Sequence, residues 1–461
     1  MDRWLQPALD YAVSWLAFQM RVSEQPGCIV AVAHRDRVIL ERAFGHADLG
    51  TGEKLTPRHR FRIASHSKSF TAAGILKLRE RRKLHLDDAV GQYVTGLHPR
   101  VAEATIGQLL SHSGGLVRDG ADAGYFGDRR PFPSARELLA DLQAPPVVEA
   151  NTRFKYSNHG YGLLGLAIEA ISGEKYRSWI KREIVDAAGL RETEPDMPIA
   201  RGTPFARGHS PKLLVGTRLV IQGDQQQHAI APAGGCVSTA GDVVRYYAQL
   251  APGAKRSVLG VGSRREMIRR QWRNPHASQE SYYGFGIISG TLGGWDWFGH
   301  GGGLQGYSSR TVVLPARELT ICVLTNATDG WSGYWLDGVM HILRTFAARG
   351  APTRRARDWA GRWWSTWGAL DLVPVGDLVL GANPHGGNPF ADATEVEITG
   401  RDRGRMKLAN GYANHGEPVR RVRNKAGRLS ELWWSAARLQ PEAQAAAEMR
   451  RRYGGARWRT R

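Results

Sequence analysis

Between residues 27 and 324 the strand-forming segments lie at the two ends and helical sequence fills the middle, which restricts the fold more than any other feature. Gly27-Cys28-Ile29-Val30-Ala31-Val32-Ala33 and Arg37-Val38-Ile39-Leu40-Glu41 are apolar runs joined by a short polar turn, the pattern of a β-hairpin. Strand character returns at 284–288, 295–298, 309–314 and 319–324, with short connections that imply consecutive antiparallel strands. Residues 65–82 read as a helix despite Gly74, the Leu-rich stretch 84–88 and the run 105–110 continue a mostly helical section, and 335–348 supplies a closing helix. Strands distant in the chain therefore meet in one sheet, with a helical subdomain inserted between them. The predicted class is α+β, an antiparallel sheet flanked by helices.

Arg349-Gly350-Ala351-Pro352-Thr353-Arg354-Arg355 has linker character, so the chain is divided into 1–350 and 351–461. Beyond the linker, short Trp-rich strands at 362–367, 370–380, 394–398 and 432–434 predict a small antiparallel β-barrel, with Trp359, Trp363, Trp364, Trp367, Trp433 and Trp434 in its core. From 120 to 151 Gly, Pro and Asp surround one short helical pattern at 135–142, a segment suited to covering a pocket. At the start, Leu5, Leu9, Val13, Leu16 and Phe18 recur at roughly helical spacing without an uninterrupted apolar core or cleavage site. No signal peptide or membrane span is expected, and a cytoplasmic location is the default. Cys28, Cys236 and Cys322 are odd in number and lie in apolar or Gly-rich stretches, so buried thiols are expected and no metal site or cofactor is implied. The formal charge of +20 comes without any nucleic-acid-binding signature and reads as a solvated basic surface, so no nucleic-acid partner is expected. Oligomeric state is left open.

Serine followed three residues later by lysine places a nucleophile and a base on one helix face. Three such pairs occur: Ser65/Lys68, Ser172/Lys175 and Ser178/Lys181. Only Ser65 follows a short apolar run, Phe61-Arg62-Ile63-Ala64, and opens a small-residue helix, where backbone N–H groups can stabilise an oxyanion. Ser172 belongs to a surface turn and Ser178 to an amphipathic polar stretch.

The run Phe61-Arg62-Ile63-Ala64-Ser65-His66-Ser67-Lys68-Ser69-Phe70-Thr71 resembles the nucleophile segment of the class C β-lactamase family, which includes related esterases and D-aminopeptidases. Tyr156-Ser157-Asn158 and His300-Gly301-Gly302 match that family's Tyr-x-Asn and His-x-Gly motifs in the expected order, and 105–116 resembles its usual helix-to-loop segment. Decoys exist at Tyr412-Ala413-Asn414, His112-Ser113-Gly114 and His385-Gly386-Gly387, but order and spacing favour the first set. The resemblance covers roughly residues 25–345 and implies a β-lactamase/transpeptidase-like fold, while the distal barrel resembles lipocalin-like domains appended to some members.

The resemblance also implies roles. Ser65 is the nucleophile and Lys68 its first-line base, while Tyr156 relays the proton in a share the sequence leaves open. Asn158 holds Lys68 or touches the substrate amide, His300 orients Tyr156 or contacts substrate, and Gly302 and Gly303 let a strand approach the acyl group. The backbone N–H groups of Ser65 and Gly303 would form the oxyanion hole. Small esters or amides are the implied substrates. An acyltransferase, a β-lactamase and a non-catalytic binding module are the alternatives. His300 stands where β-lactamases of the family carry lysine, which weakens carboxylate recognition and favours esters over penicillins. Asp119, in Leu116-Val117-Arg118-Asp119, is the candidate for reading a free amine, against a plain Arg-Asp surface pair.

Overall fold

The computed structural model describes residues 2–213, 216–275, 277, 279–409 and 414–454. Two compact units emerge: Met1–Glu24 with Asp337–Arg461, and Gln25–Leu336. Helix α1 (Leu5–Ser23) belongs to the first unit, and its buried residues Leu5, Ala8, Leu9, Ala12, Trp15 and Leu16 recur every three or four positions along one face.

In the unit Gln25–Leu336, β1 (Gly27–His34) and β2 (Arg37–Asp48) form the expected hairpin. Helices α2 (Ser67–Glu80), α3 (Asn158–Ser172) and α4 (Ala240–Leu250) follow. The chain returns to the sheet through β3 (Ser281–Tyr283), β4 (Ile288–Leu292), β5 (Trp295–Leu304), β6 (Tyr307–Leu314) and β7 (Leu319–Thr325). With Glu53–Lys54 at one edge and Trp272–Arg273 at the other, these make a nine-stranded sheet in the order β2-β1-β7-β6-β5-β4-β3 between the edges. The seam between distant segments is β1 against β7, antiparallel, with Val30 opposite Val323 and Val32 opposite Ile321. All seven residues of β7 are buried and α4 packs across β7 and β1, so these strands read as continuous apolar runs instead of alternating ones.

Two expectations need correction. Residues 284–287 are not strand: Gly286 adopts φ +65°, and a Cβ there would stand 2.6 Å from the Lys68 carbonyl oxygen, so the chain bends to clear α2. Residues 84–88 form turns, because the carbonyls of Leu86 and Asp88 accept from Gly107 (2.8 Å) and Ile106 (3.0 Å) instead of from their own helix. Helices at Ala135–Asp141 and Ile106–Leu110 do form, each started by a capping box, Ser134/Glu137 and Thr105/Gln108.

Helix α5 (Ser332–Arg349) contains the boundary between the units. Beyond it come β8 (Gly361–Ser365), β9 (Gly368–Val375), β10 (Leu378–Ala382), β11 (Thr394–Gly400), β12 (Arg403–Leu408), β13 (Pro418–Arg423), β14 (Leu429–Trp434) and β15 (Ala437–Leu439). They pair in sequence order, and mutual backbone bonds of 2.8 Å between Trp364 and Gln440 bring the ends together into a nearly closed barrel. The stretch 370–380 splits into two strands at Gly376, which takes φ +53°. Trp359 and Trp363 fill the barrel core with Leu372, Val379, Val396 and Met406, whereas Trp364, Trp433 and Trp434 are half-buried. Trp367 sits on the β8–β9 turn and is 97% exposed, which corrects its expected place in the core. Arg421 is buried, its guanidinium 4.2 Å from the Trp359 ring centroid and paired with Asp358 at 2.9 Å and Asp402 at 3.0 Å. Of the decoy motifs, Tyr412 and Ala413 lie outside the described residues.

Trp359→Ala removes a core ring and the cover of a buried cation, and should lower stability by about 3–5 kcal/mol. Trp367→Ala should stay within about 0.5 kcal/mol of the parent. Urea unfolding of the full chain checks both, and equal effects would contradict this assignment of the core.

Candidate active site

Residues Ala64–His66 form a single 3₁₀ turn that runs directly into α2. Ala64 takes φ +50°, a left-handed conformation that costs a non-glycine residue about 1–3 kcal/mol, stored immediately before Ser65. One turn further on, Lys68 is fully buried, and its Nζ lies 3.2 Å from Ser65 Oγ, 2.7 Å from Asn158 Oδ1 and 2.8 Å from the Ala233 carbonyl oxygen. Desolvation pushes the Lys68 ammonium well below its ordinary range, with Asp119 opposing and Arg118 assisting. A neutral amine has two N–H donors and one lone pair, matching two carbonyl-type acceptors and one hydroxyl.

Ser157 caps α3 by accepting from Gly160 N at 2.8 Å, and so places Tyr156 before the helix and Asn158 as its first residue. The Tyr156 hydroxyl donates to Ser65 Oγ at 3.1 Å, and Lys68 Nζ stands 4.7 Å from the Tyr156 ring centroid. Burial raises the Tyr156 phenol above its ordinary range, with the bond to Ser65 as the main opposing influence. Asn158 Nδ2 donates to Asp119 Oδ1 at 2.6 Å, and Asp119 Oδ2 pairs with Arg118 Nε at 3.1 Å.

The third side is strand β5. Pairing with β4 runs from Leu292 opposite Trp295 to Ile288 opposite Gly299, so residues 300–304 have one edge free, and β5 packs there against the turn Ala64–His66. Glycine is required on this approach: a Cβ at Gly302 would meet the Ile63 carbonyl oxygen at 2.3 Å, whereas one at Gly303 would meet nothing within 4 Å. Behind the approach, His66 Nδ1 pairs with the Ile63 carbonyl at 3.0 Å and Nε2 with Thr311 Oγ1 at 2.9 Å. Ser309 Oγ stands 3.2 Å from both the Ile63 carbonyl and His66 Nδ1 and 3.4 Å from the Gly302 carbonyl. Burial takes the His66 imidazole down to about 3.

Ser65 opens into a cavity of about 540 Å³ with Tyr156, Asn158, Gly303, Arg118 and Phe126 among its lining residues. Phe126 comes from the Gly- and Asp-rich segment expected to cover a pocket. Ser65, Lys68, Tyr156, Asn158 and the Gly302-Gly303 strand are thus brought together. His300 is placed differently: it is buried, does not line the cavity, and pairs through Nε2 with the Tyr283 hydroxyl at 3.1 Å and through Nδ1 with the Gly301 carbonyl at 2.6 Å. Burial, followed by His66 and Lys68, pushes its imidazole well below the ordinary range, so it is neutral at pH 7. Asp119 does not line the cavity either; its two oxygens are engaged by Asn158 and Arg118.

The other Ser/Lys pairs serve local structure. Ser172 Oγ donates to the Ile168 carbonyl, Lys175 pairs with Glu169 at 3.4 Å, and Lys181 pairs with Asp186 at 2.9 Å. Sequence reading set His112 aside as a decoy, yet its ring centroid lies 4.1 Å from that of Tyr156 and its Nδ1 accepts from Ser157 N at 3.1 Å. Tyr283, His66 and Ser309 were also missed: His66 fills a variable position between Ser65 and Lys68, and no local motif marks the other two. Among the described residues no group of three or more His, Cys, Asp or Glu could hold a metal ion, and no helix is long and apolar enough to cross a membrane.

An antiparallel sheet with flanking helices, a Ser-x-x-Lys helix start and a facing glycine strand define the penicillin-recognising class of serine-hydrolase folds. The family described as Beta-lactamase matches residues 17–333, and the chain belongs to it. It is 26% identical over 320 residues to Protein flp of Staphylococcus aureus strain MW2, covering 65% of this chain and 59% of that protein. The chain therefore spans about three fifths of the length of that relative. In fold it resembles the octameric penicillin-binding protein homologue from Pyrococcus abyssi (TM-score 0.66, 21% identity), across 94% of this chain and 100% of the other. It also resembles the D-amino acid amidase from Ochrobactrum anthropi SV3 (TM-score 0.63, 21% identity), over 73% of this chain and 99% of that one.

His66 yields a pH prediction. Its native pKa is depressed from 6.5 to about 3, so its contribution to stability is complete above about pH 6.5 and is lost as pH falls towards 3. The drop in melting temperature between pH 7 and pH 4 should be smaller in His66→Gln than in the parent. An unchanged drop would show that the imidazole is not held neutral. Gly302→Ala should lower kcat/KM by at least about 100-fold, because the Ile63 carbonyl cannot give way without moving the turn that carries Ser65.

Proposed function

We propose that the protein is a serine hydrolase that forms an acyl-enzyme on Ser65 and cleaves small esters or amides. The observation that carries this reading is a single cavity-lining hydroxyl, Ser65 Oγ, within 3.2 Å of buried Lys68 Nζ and 3.1 Å of the Tyr156 hydroxyl. Lys68, whose protonated form burial disfavours, takes the Ser65 proton as Oγ bonds to the substrate carbonyl carbon. The resulting oxyanion is held by the backbone N–H groups of Ser65 and Gly303. The tetrahedral intermediate collapses as the bond to the leaving group breaks, and Tyr156 delivers a proton to the departing atom while regaining one from Lys68. Water then attacks the acyl carbon by the same route in reverse, releasing the acid and restoring Ser65.

The raised phenol pKa supports Tyr156 as proton donor and leaves the base role to Lys68. Asn158 acts as a positioning residue, since its Oδ1 fixes the Lys68 amine and its Nδ2 is tied to Asp119. A buried, neutral His300 supports the preference for esters and amides over penicillins. Likeness in fold to a D-amino acid amidase makes D-aminoacyl amides the second substrate class to test.

Ser65→Ala should abolish turnover of p-nitrophenyl butyrate and labelling by a fluorophosphonate, with mass spectrometry placing the parent adduct on Ser65. An adduct on another serine would refute the assignment. Lys68→Ala and Tyr156→Phe should each slow acylation by about 10²–10⁴-fold with the fold retained. Because Lys68 must be deprotonated, kcat/KM should rise with pH along an acid limb that follows its depressed pKa, and Lys68→Ala should remove that limb.

A further inference from the structure

Arg118 is the only charged side chain among the residues lining the cavity. Its side chain is 63% exposed, yet it is anchored: Nε pairs with Asp119 Oδ2 at 3.1 Å, and Asp119 is itself held by Asn158 at 2.6 Å. That leaves the two terminal Nη groups, the fork that recognises carboxylates in bidentate fashion, without a partner among the described residues. The guanidinium carbon lies 5.8 Å from the centroid of the Tyr156 ring, whose hydroxyl lies 3.1 Å from Ser65 Oγ, and Arg118, Tyr156 and Ser65 line the same cavity. Lys155, next to Tyr156, is a second cation here; burial and the Arg118 charge both depress it, and it makes no ion pair among the described residues. Two cations thus face one carboxylate, Asp119, whose oxygens are already engaged. On the opposite account, negative charge would be read from β5, but His300 is buried and turned towards Tyr283.

We infer that Arg118 is a specificity-determining residue that binds a carboxylate or similar anionic group of the substrate while its scissile carbonyl sits at Ser65. This rests on the hydrolase reading and narrows it to acidic esters and amides. The Asp119 carboxylate orients the guanidinium and does not read an amine.

Matched substrate pairs test the inference in the full-length protein. One pair carries the charge on the acyl side, p-nitrophenyl hydrogen adipate against p-nitrophenyl hexanoate. The other carries it on the leaving group, 3-carboxyphenyl hexanoate against phenyl hexanoate. The readout is the charged-to-neutral ratio of kcat/KM, which cancels any effect of a substitution on Ser65, Lys68 or Tyr156. In the parent, at least one pair should show a ratio about tenfold higher than in Arg118→Gln, with Arg118→Lys in between and Arg118→Glu lowest. Raising ionic strength should shrink the parent's ratio, because the fork is solvent-exposed. Ratios within threefold between parent and Arg118→Gln for both pairs, with turnover intact, would overturn the role of Arg118 and leave the hydrolase reading standing. No turnover of any of the four esters together with an unlabelled Ser65 would overturn both.

Discussion

A lysine amine taken wholly out of water is the feature around which the site is built. Burying an ammonium without compensation is far more costly than burying the neutral amine, so the native fold favours the deprotonated form. Burial has to be dense to have this effect, and α2 supplies it: every residue from Ser67 to Leu76 is buried. A helix enclosed on all sides must satisfy its polar side chains internally. Ser67 Oγ donates to the Ala64 carbonyl at 2.7 Å and accepts from Cys236 N at 2.9 Å, while Ser69 Oγ donates to the His66 carbonyl at 2.7 Å. Thr71 Oγ1 donates to the Pro232 carbonyl at 2.7 Å. Small residues complete the enclosure, as at Gly74, where a Cβ would meet Ile180 at 2.7 Å. The polar content of α2 is therefore a consequence of its central place, where Ser67 and Thr71 link it to the segment 232–236 and Ser69 closes on the helix's own first turn.

The sheet is tied to the same helix start. Ile63, Ser309, His66 and Thr311 link the turn before Ser65 to strand β6, and the Gly302 backbone fits against the Ile63 carbonyl with no space for a side chain. The left-handed Ala64 persists because the strand, the helix and this hydrogen-bonded cluster all fix the residues on either side of it. Strain at that one residue points Ser65 Oγ between the amine and the phenol. In this way a sheet assembled from distant parts of the chain helps set the distances of 3.2 Å to Lys68 and 3.1 Å to Tyr156 at the nucleophile.

Local chemistry was legible in the sequence wherever one segment carried a complete signal. The hairpin at 27–41, the helices within 105–110 and 135–142 and the Ser65/Lys68 spacing all appear where pattern and residue type placed them. Two failures share a cause. The stretch 84–88 exchanged helical bonds for bonds to 106–107, and 284–287 bent away from the sheet to clear Lys68, both responses to partners far along the chain. Strands β12 and β13 were overlooked because arginines occupy alternate outward positions and the inward face carries Gly404, Met406, Val419 and Arg421, of which two are apolar side chains. Trp367 was misplaced because composition tells a tryptophan's affinity for a core and not its position on a turn. His112 shows the limit of motif order: excluded as a third-motif candidate, it nevertheless packs against Tyr156 as part of the wall around Lys68.

One environment acts in opposite senses on the two groups that flank Ser65. Desolvation disfavours whichever form is charged, so it lowers the pKa of an amine and raises that of a phenol. Lys68 is thereby shifted towards a free lone pair and Tyr156 towards a retained proton. On the proposed mechanism this separation assigns base and acid without any further residue, because the hydroxyl between them can lose a proton only towards the amine and the leaving group can gain one only from the phenol. Arg118 refines the balance from outside: its positive charge lowers both pKa values, aiding the amine as base and easing proton release from the phenol. An anion bound on the Arg118 fork would offset that charge, so on the proposed reading substrate recognition and proton transfer at Ser65 would be coupled through one guanidinium.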